Sequence, residues 1–247
     1  MANFIYGKYA VQSFIQKYPE YIEEVYFSRD EHKDFIEEAL PTISKSFISN
    51  KELRQKFSIK EFESHQGIVL CIKQPLNELM LSSLEELLMK ASFENKPLLW
   101  LPSIQDAHNL GAVIRSCVAF NVAGIILPSS RSVTLNRVVA KVSAGAIFNL
   151  QYAIANSFAK ASQLIQMNGF KLLALEKNIN ARPLSQVQFK EYAPYVLTIG
   201  SEEKGIPQAI RNQVNQFIEI PQSNEVESLN LSVATAITLY EISKQIN

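Results

Sequence analysis

Three stretches of this 247-residue chain carry polar side chains directly beside the predicted ends of strands. They are DAHNLGAVIRS at 106–116, LTIGSEEKGIP at 197–207 and FIEIPQSNEVESLNLSVATAITLYEI at 217–242. Open α/β sheets bind ligands in the crevice outside the carboxyl ends of their strands. The asparagine, serine, glutamate and arginine side chains of these stretches therefore indicate a ligand-binding site at one edge of a sheet.

The third stretch predicts a strand, a polar turn and a helix. Residues 217–220 form the short apolar strand, and residues 229–240 carry apolar side chains at helical spacing. Ser228 and Asn230 stand at the start of that helix, where their side chains can cap free backbone N–H groups. Helix capping alone is the simpler interpretation of these two residues, and it is the other two stretches that favour a role in a site.

The first stretch predicts a loop followed by a helix. Asp106 ends the loop after a strand, and Asn109 begins the helix. Gly111 permits a close approach of the backbone to a ligand. Arg115 follows Asn109 by between one and two helical turns, so both side chains are expected to border one cleft. The alternatives are a solvated helix arginine and, for residues 200–205, an ordinary turn with an exposed pair of glutamates.

The positions of the glycines exclude several well-known sites. No GxGxxG follows a strand, which argues against a dinucleotide-binding fingerprint. Gly200 and Gly205 have the spacing of a P-loop, but Ile206 stands where the phosphate-binding lysine is required. No GxSxG serine nucleophile motif occurs either.

Composition and charge narrow the class of protein further. Lys+Arg and Asp+Glu both number 24, so any nucleic-acid-binding face must be a local patch. Cys71 and Cys117 lack CxxC spacing, and His32, His65 and His108 lack metal-ligand spacing. The sequence has neither a secretory pattern nor an apolar run of about 18 residues. We therefore expect a cytoplasmic protein with neither a metal nor a membrane partner.

Alternating strand and helix signals predict two α/β domains, at 1–73 and 97–247, joined by a linker at 74–96. The elements expected in the first domain are a helix after Gly7, helices at 34–40 and 51–57, and strands at 24–28, 43–48 and 68–72. The linker carries a leucine-rich helix at 79–89. The elements expected in the second domain are strands at 98–102, 123–128, 149–154, 171–176 and 195–199, and helices at 109–120, 132–145 and 158–167. This order predicts a mostly parallel sheet with helices on both faces.

The three polar stretches resemble the three sequence motifs of the SpoU (TrmH) family of RNA ribose 2′-O-methyltransferases. NLGAVIRS is similar to the first motif, IGSEEKGI to the second and IPQSNEVESLNLSVATAITLYE to the third. Glu203 and Asn224 stand where the second and third motifs usually have glycine. IYGKYAVQSFI, EVYFS and HQGIVLCI resemble the L30e-like RNA-binding module that precedes the catalytic domain in part of the family. The resemblance covers nearly the whole chain.

The resemblance implies a SPOUT-type α/β knot, a mostly parallel catalytic domain whose C-terminal segment is threaded through a trefoil, preceded by a small L30e-like α/β domain. It implies the cofactor S-adenosylmethionine, with contacts from Ile199, Gly200, Ser201, Ile220 and Leu229. The catalytic residues that it implies are Asn109, Arg115, Glu202, Ser228 and Asn230. Because a guanidinium stays protonated, we expect Arg115 to grip the target phosphate and stabilise developing alkoxide rather than act as a base.

Four further residues flank the second strand of the catalytic domain and could contact RNA phosphates; a solvated helix face is an equally good interpretation. These residues are Arg131, Asn136, Arg137 and Lys141.

The reaction implied is methyl transfer to the 2′-hydroxyl of a 23S rRNA guanosine in the peptidyl-transferase region, by a homodimer. One alternative is a tRNA 2′-O-methyltransferase of the same family. Another is a non-catalytic, L30e-like RNA-binding protein.

Overall fold

The structure is a computed structural model that describes residues 3–129, 133–201, 205–223 and 225–246. The chain begins with β1 (Asn3–Tyr6), α1 (Lys8–Lys17), β2 (Ile22–Phe27), α2 (Lys33–Ala39), β3 (Ser44–Phe47), α3 (Asn50–Phe57), β4 (Ile68–Ile72) and α4 (Leu76–Leu79). It continues with β5 (Leu81–Ser82), α5 (Leu84–Glu94), β6 (Leu98–Trp100), α6 (Ala107–Ala119), β7 (Gly124–Pro128) and α7 (Arg137–Val142). The last elements are β8 (Gln151–Ala155), α8 (Phe158–Met167), β9 (Lys171–Leu175), β10 (Arg182–Pro183), β11 (Tyr195–Ile199), α9 (Gln208–Arg211), β12 (Gln216–Glu219) and α10 (Leu231–Ile246).

The chain packs into two compact units. Unit 1 contains the residues up to Met80 together with Thr134–Asn149, and unit 2 contains Leu81–Val133 together with the residues from Leu150 onwards. The domain boundaries expected from the sequence, 1–73 and 97–247, stay a prediction.

Unit 1 is built on a four-stranded mixed sheet in the order β1-β4-β2-β3. β4 runs antiparallel to both β1 and β2, while β3 is parallel to β2. One cluster of its core joins the sheet to α3 and consists of Tyr6, Tyr26, Leu53, Phe57, Ile59, Val69 and Cys71. Ser49 and Glu52 form a capping box at the start of α3, which fixes where that helix begins.

Unit 2 is built on an eight-stranded sheet in the order β10-β12-β9-β11-β6-β7-β8-β5. Every neighbouring pair in it is parallel. Its central strands β6 and β11 are buried along their whole length, as is typical of a parallel sheet covered on both faces. The expected α/β fold with a mostly parallel sheet is therefore confirmed. β9 lies between β11 and β12, the strands that precede the polar parts of the second and third stretches.

Two helices differ from the sequence prediction because local caps override hydrophobic periodicity. The helix expected at 79–89 begins at Leu84, since Ser83 and Glu86 form a capping box there. Residues 81–82 before it form β5 instead. Residue 132 of the helix expected at 132–145 lies outside the described residues, and the rest of that range contains only α7. Asn136 caps the start of α7, and Ala144 and Gly145 adopt positive φ after its end.

Smaller differences concern two other elements. α6 begins at Ala107 rather than Asn109, because the Asp106 carboxylate accepts hydrogen bonds from the backbone of His108 and Asn109. β1 was not expected from the sequence. None of the helices in the described residues is both long and apolar enough to span a membrane.

Candidate functional site

A cavity of about 330 Å³ opens at the carboxyl ends of β9, β11 and β12 in unit 2. The residues that line it come from the ends of these strands, from the turn after β12 and from the start of α10. They are Leu175, Glu176, Lys177, Ile199, Gly200, Ser201, Gly205, Ile206, Glu219, Ile220, Gln222, Glu227, Ser228, Leu229, Leu231 and Ala234. The cavity therefore lies where ligands bind in open α/β sheets. We call it the strand-end pocket.

All five residues expected to contact a cofactor line the strand-end pocket. They are Ile199, Gly200, Ser201, Ile220 and Leu229. Ser228, expected to be catalytic, lines it as well. The structure thus brings the second and third stretches together around a single cavity.

The loop after β11 depends on glycine at position 200. The backbone N–H of Gly205 donates a hydrogen bond of 2.8 Å to the carbonyl of Ser201, which closes the loop on itself. A Cβ at Gly200 would overlap the backbone of Gly205. Only a residue without a side chain fits this close approach, so Gly200 fixes the shape of this wall of the pocket.

Asn230 connects the third stretch to the first. Its Oδ1 accepts a hydrogen bond of 2.9 Å from the backbone of Ser232, which makes it a cap of α10. Its Nδ2 donates a hydrogen bond of 3.1 Å to Oδ1 of Asn109 on α6. Capping and a role in the site are therefore compatible. The Asn230 side chain caps α10 and also holds Asn109. Asn230 lies between the lining residues Leu229 and Leu231, although neither asparagine lines the pocket itself.

Arg115 lies elsewhere on α6. Six residues of α-helix turn the side chain by roughly 240°, so Arg115 and Asn109 point to different sides of the helix. Arg115 is exposed and does not line the pocket. Its guanidinium makes no hydrogen bond or ion pair with any residue that the structure describes. Glu202, the remaining residue expected to be catalytic, lies outside the described residues.

Sequence reasoning missed five charged or polar residues of the pocket. They are Glu176, Lys177, Glu219, Gln222 and Glu227. Glu176 and Lys177 directly follow the buried strand β9, so the strand-end rule that drew attention to the three stretches would also have found them.

The candidate RNA contacts belong to unit 1 rather than to unit 2, with Arg131 outside the described residues. Asn136 caps α7 through hydrogen bonds of 2.9 and 3.2 Å from the backbone of Val138 and Val139. Arg137 places its guanidinium 4.8 Å from the centre of the Phe4 ring, and Lys141 places Nζ 5.7 Å from the centre of the Tyr6 ring. These three side chains therefore take part in the packing of unit 1.

Burial and positive charge shape the electrostatics of this part of unit 1. Burial lowers the pKa of Lys141. Burial also lowers the pKa of His65, and the nearby charges of Arg54, Arg29 and Lys141 lower it further. His65 Nδ1 accepts a hydrogen bond of 3.1 Å from the backbone of Gly67, which requires that nitrogen to be unprotonated. In the described residues no group of His, Cys, Asp and Glu is arranged to hold a metal ion.

Fold and site together define an α/β protein that binds a ligand at the carboxyl ends of a parallel sheet. The chain belongs to the SpoU rRNA Methylase family, whose model matches residues 96–240. It is 30% identical to the 23S rRNA (guanosine-2'-O-)-methyltransferase RlmB of Escherichia coli (strain K12), over 99% of this chain and 99% of that protein.

Two solved structures are similar in fold. The SpoU methyltransferase AviRb from Streptomyces viridochromogenes has a TM-score of 0.78 at 15% identity, over 99% of this chain and 89% of that one. An AdoMet-bound rRNA methyltransferase from Sinorhizobium meliloti has a TM-score of 0.77 at 18% identity, over 100% of this chain and 88% of that one. At these identities the likeness establishes the fold.

The strand-end pocket fits S-adenosylmethionine chemically. Ile199, Ile220 and Leu229 provide apolar walls for a purine, with backbone groups at its edge. Two buried acceptor atoms, Oε2 of Glu176 and Oε1 of Gln222, have no hydrogen-bond partner among the described residues. Buried acceptors need donors, and the cofactor offers ribose hydroxyls, an amino group on the adenine and an ammonium.

Proposed function

We propose that this protein transfers a methyl group from S-adenosylmethionine to the ribose 2′-hydroxyl of a guanosine in 23S rRNA, in the peptidyl-transferase region. The observation that carries the proposal is the strand-end pocket, where residues of the second and third motifs meet. The first motif is linked to the third through the Asn109–Asn230 hydrogen bond. The near full-length similarity to a 23S rRNA guanosine methyltransferase supports the choice of RNA.

The cofactor supplies an activated methyl group on a sulfonium, so the protein's main task is to align the reactants. The methyl carbon forms a bond to the ribose oxygen as its bond to sulfur breaks, and the hydroxyl proton leaves. Ile199, Ile220 and Leu229 hold the purine, and Gly200 permits the close backbone approach that shapes the loop beside it. Asn230 holds Asn109, and Asn109 orients the ribose.

Arg115 acts on the RNA rather than on the cofactor. Because it is exposed and lies outside the pocket, its free guanidinium is available to an approaching phosphate. A planar guanidinium grips phosphate through two parallel hydrogen bonds and does not lose its proton at neutral pH. Arg115 therefore anchors the target nucleotide and stabilises the developing negative charge. Ser228 and Glu202 complete the proposed catalytic set.

We also propose a homodimer that forms through α10. Val233, Ile237 and Tyr240 form one stripe of this helix and are 47%, 40% and 56% exposed. A stripe that a single subunit leaves uncovered is suited to a two-fold pairing, in which the same face meets itself.

The finer features of the fold belong to the same proposal. The resemblance of the three motifs and of the N-terminal stretches to the SpoU (TrmH) family supports a trefoil knot near the C-terminus of unit 2 and an L30e-like RNA-binding role for residues 1–73. Acting on ribosomal RNA, the protein works in the cytoplasm.

Methyl transfer to defined RNAs tests the proposal. Purified protein is incubated with methyl-labelled S-adenosylmethionine and with unmodified 23S rRNA or bulk tRNA, and the product is digested to nucleosides. We expect label in 2′-O-methylguanosine from 23S rRNA alone. Label in a methylated base, or in tRNA alone, would contradict the substrate. Binding of RNA without any transfer would favour the non-catalytic alternative.

A further inference from the structure

Glu176 lines the strand-end pocket and forms an ion pair with Arg211. Its Oε1 pairs with Nη1 of Arg211 on α9 at 2.5 Å, and only 17% of its side chain is exposed. Its backbone N–H donates to the carbonyl of Ile218 at 2.9 Å, so the residue is tied to β12 as well as to β9. The guanidinium of Arg211 also packs over the ring of Phe217, with Cζ 5.8 Å from the ring centre. The carboxylate is therefore held in a fixed position.

The second oxygen of this carboxylate lacks a partner. Oε2 of Glu176 is buried and has no hydrogen bond to any described residue, although the side chain lines the pocket. A buried acceptor without a donor is costly, because it has lost its water and gained nothing in return. A fixed, unpartnered oxygen at a ligand pocket is an acceptor prepared for the ligand.

The charge of the pair indicates the kind of donor. Arg211 already balances the negative charge of Glu176, so the free oxygen does not require a second cation. A neutral O–H donor satisfies it. We propose, on the basis of the function proposed above, that Glu176 accepts a hydrogen bond from a ribose hydroxyl of the adenosyl cofactor and that Arg211 positions it. Glu176 is then a cofactor-binding residue outside the three stretches that the sequence singles out.

Calorimetry with two ligands tests this assignment without any turnover. S-Adenosylhomocysteine carries both the ribose and the amino acid, whereas 5′-methylthioadenosine carries the ribose alone. Glu176→Gln and Glu176→Ala should lower the affinity for both ligands by a similar factor. We expect a loss on the order of tenfold, as is typical of a lost hydrogen bond to a charged group. Glu225→Gln, which removes a carboxylate from an exposed residue that does not line the pocket, should leave both affinities unchanged.

Deletion of the hydroxyls on the ligand completes the test. Wild-type protein should prefer 5′-methylthioadenosine to its 2′- or 3′-deoxy form, and the Glu176 variants should lose that preference. A loss confined to S-adenosylhomocysteine would assign Glu176 to the ammonium and overturn the proposal. Unchanged affinities in variants that melt normally would leave Glu176 as a structural ion-pair partner, which also overturns it. If wild-type protein binds neither ligand, the proposed function itself fails.

Arg211→Gln separates positioning from direct contact. In the wild-type background this change should lower the affinity for 5′-methylthioadenosine. Combined with Glu176→Ala it should cause little further loss of affinity, because both changes disable the same contact. Independent, additive losses would contradict the positioning role. Thermal melts of each variant exclude unfolding as the cause.

Discussion

The residues of the strand-end pocket in unit 2 were expected to bind the cofactor, and those of α7 in unit 1 were expected to bind RNA. The two regions use their polar residues differently. In the pocket, the five predicted cofactor contacts line one cavity, and the buried oxygens of Glu176 and Gln222 remain unpartnered. In unit 1, Asn136 is occupied as a cap, while Arg137 and Lys141 lie over aromatic rings. A position at the carboxyl end of a parallel strand is set by topology, whereas basic residues beside a strand are readily used for packing.

Arg115 gives the largest expected effect. Arg115→Ala should slow single-turnover methylation by about 10²–10³, because it removes the cation that we propose to hold the target phosphate and to stabilise the developing negative charge. Stability should change by no more than about 0.5 kcal/mol, since the side chain is exposed. Arg115→Lys should restore only part of the rate, because an ammonium cannot reproduce the planar fork. A normal rate in Arg115→Ala would remove this residue from the mechanism.

Asn230→Ser separates capping from the link to the first stretch. The serine hydroxyl still caps α10, but the shorter side chain does not reach Asn109. We expect a wild-type melting temperature with methylation reduced by about tenfold, the size of one lost hydrogen bond. Asn109→Ala is the matched control, because it deletes the same bond from the other side. Normal turnover in both variants would reduce the pair to a helix-capping feature.

Arg137→Ala sharpens the contrast with unit 1. The change removes a guanidinium packed on Phe4, so we expect unfolding of unit 1 to become easier by about 1 kcal/mol. Arg137→Lys should recover part of that stability. If packing is its main role, the dependence of RNA affinity on salt should hardly change; a slope reduced by about one would instead identify a phosphate contact.

The smallest effect concerns pH. The pKa of His65 is lowered in the folded state from its ordinary value of 6.5, so the unfolded chain takes up a proton first as the pH falls. Stability of unit 1 should therefore decline as the pH drops below about 6.5 and approaches the folded-state pKa. His65→Asn keeps an acceptor for the Gly67 N–H and should flatten this dependence in melts between pH 5 and 8. The same dependence of melting temperature on pH in the wild-type protein and in His65→Asn would contradict this role of His65.

Sequence patterns predicted the parallel sheet and the pocket well because both depend on short, regular signals. Buried strands are apolar runs, and the polar stretches follow them directly. Patterns failed where a single capping side chain determines the residue at which a helix begins. Ser83 sets the start of α5, and Asp106 sets the start of α6. The exposure of Arg115 could have been inferred from helical phase, whereas the unpartnered oxygen of Glu176 required coordinates.

A crystal structure with S-adenosylhomocysteine tests the central claim most directly, namely that the strand ends of unit 2 form the cofactor site. We predict the ligand at the carboxyl ends of β9, β11 and β12, with its purine against Ile199, Ile220 and Leu229 and its ribose on Glu176. A ligand bound outside this pocket, or a pocket that stays empty at saturating ligand, would contradict the account.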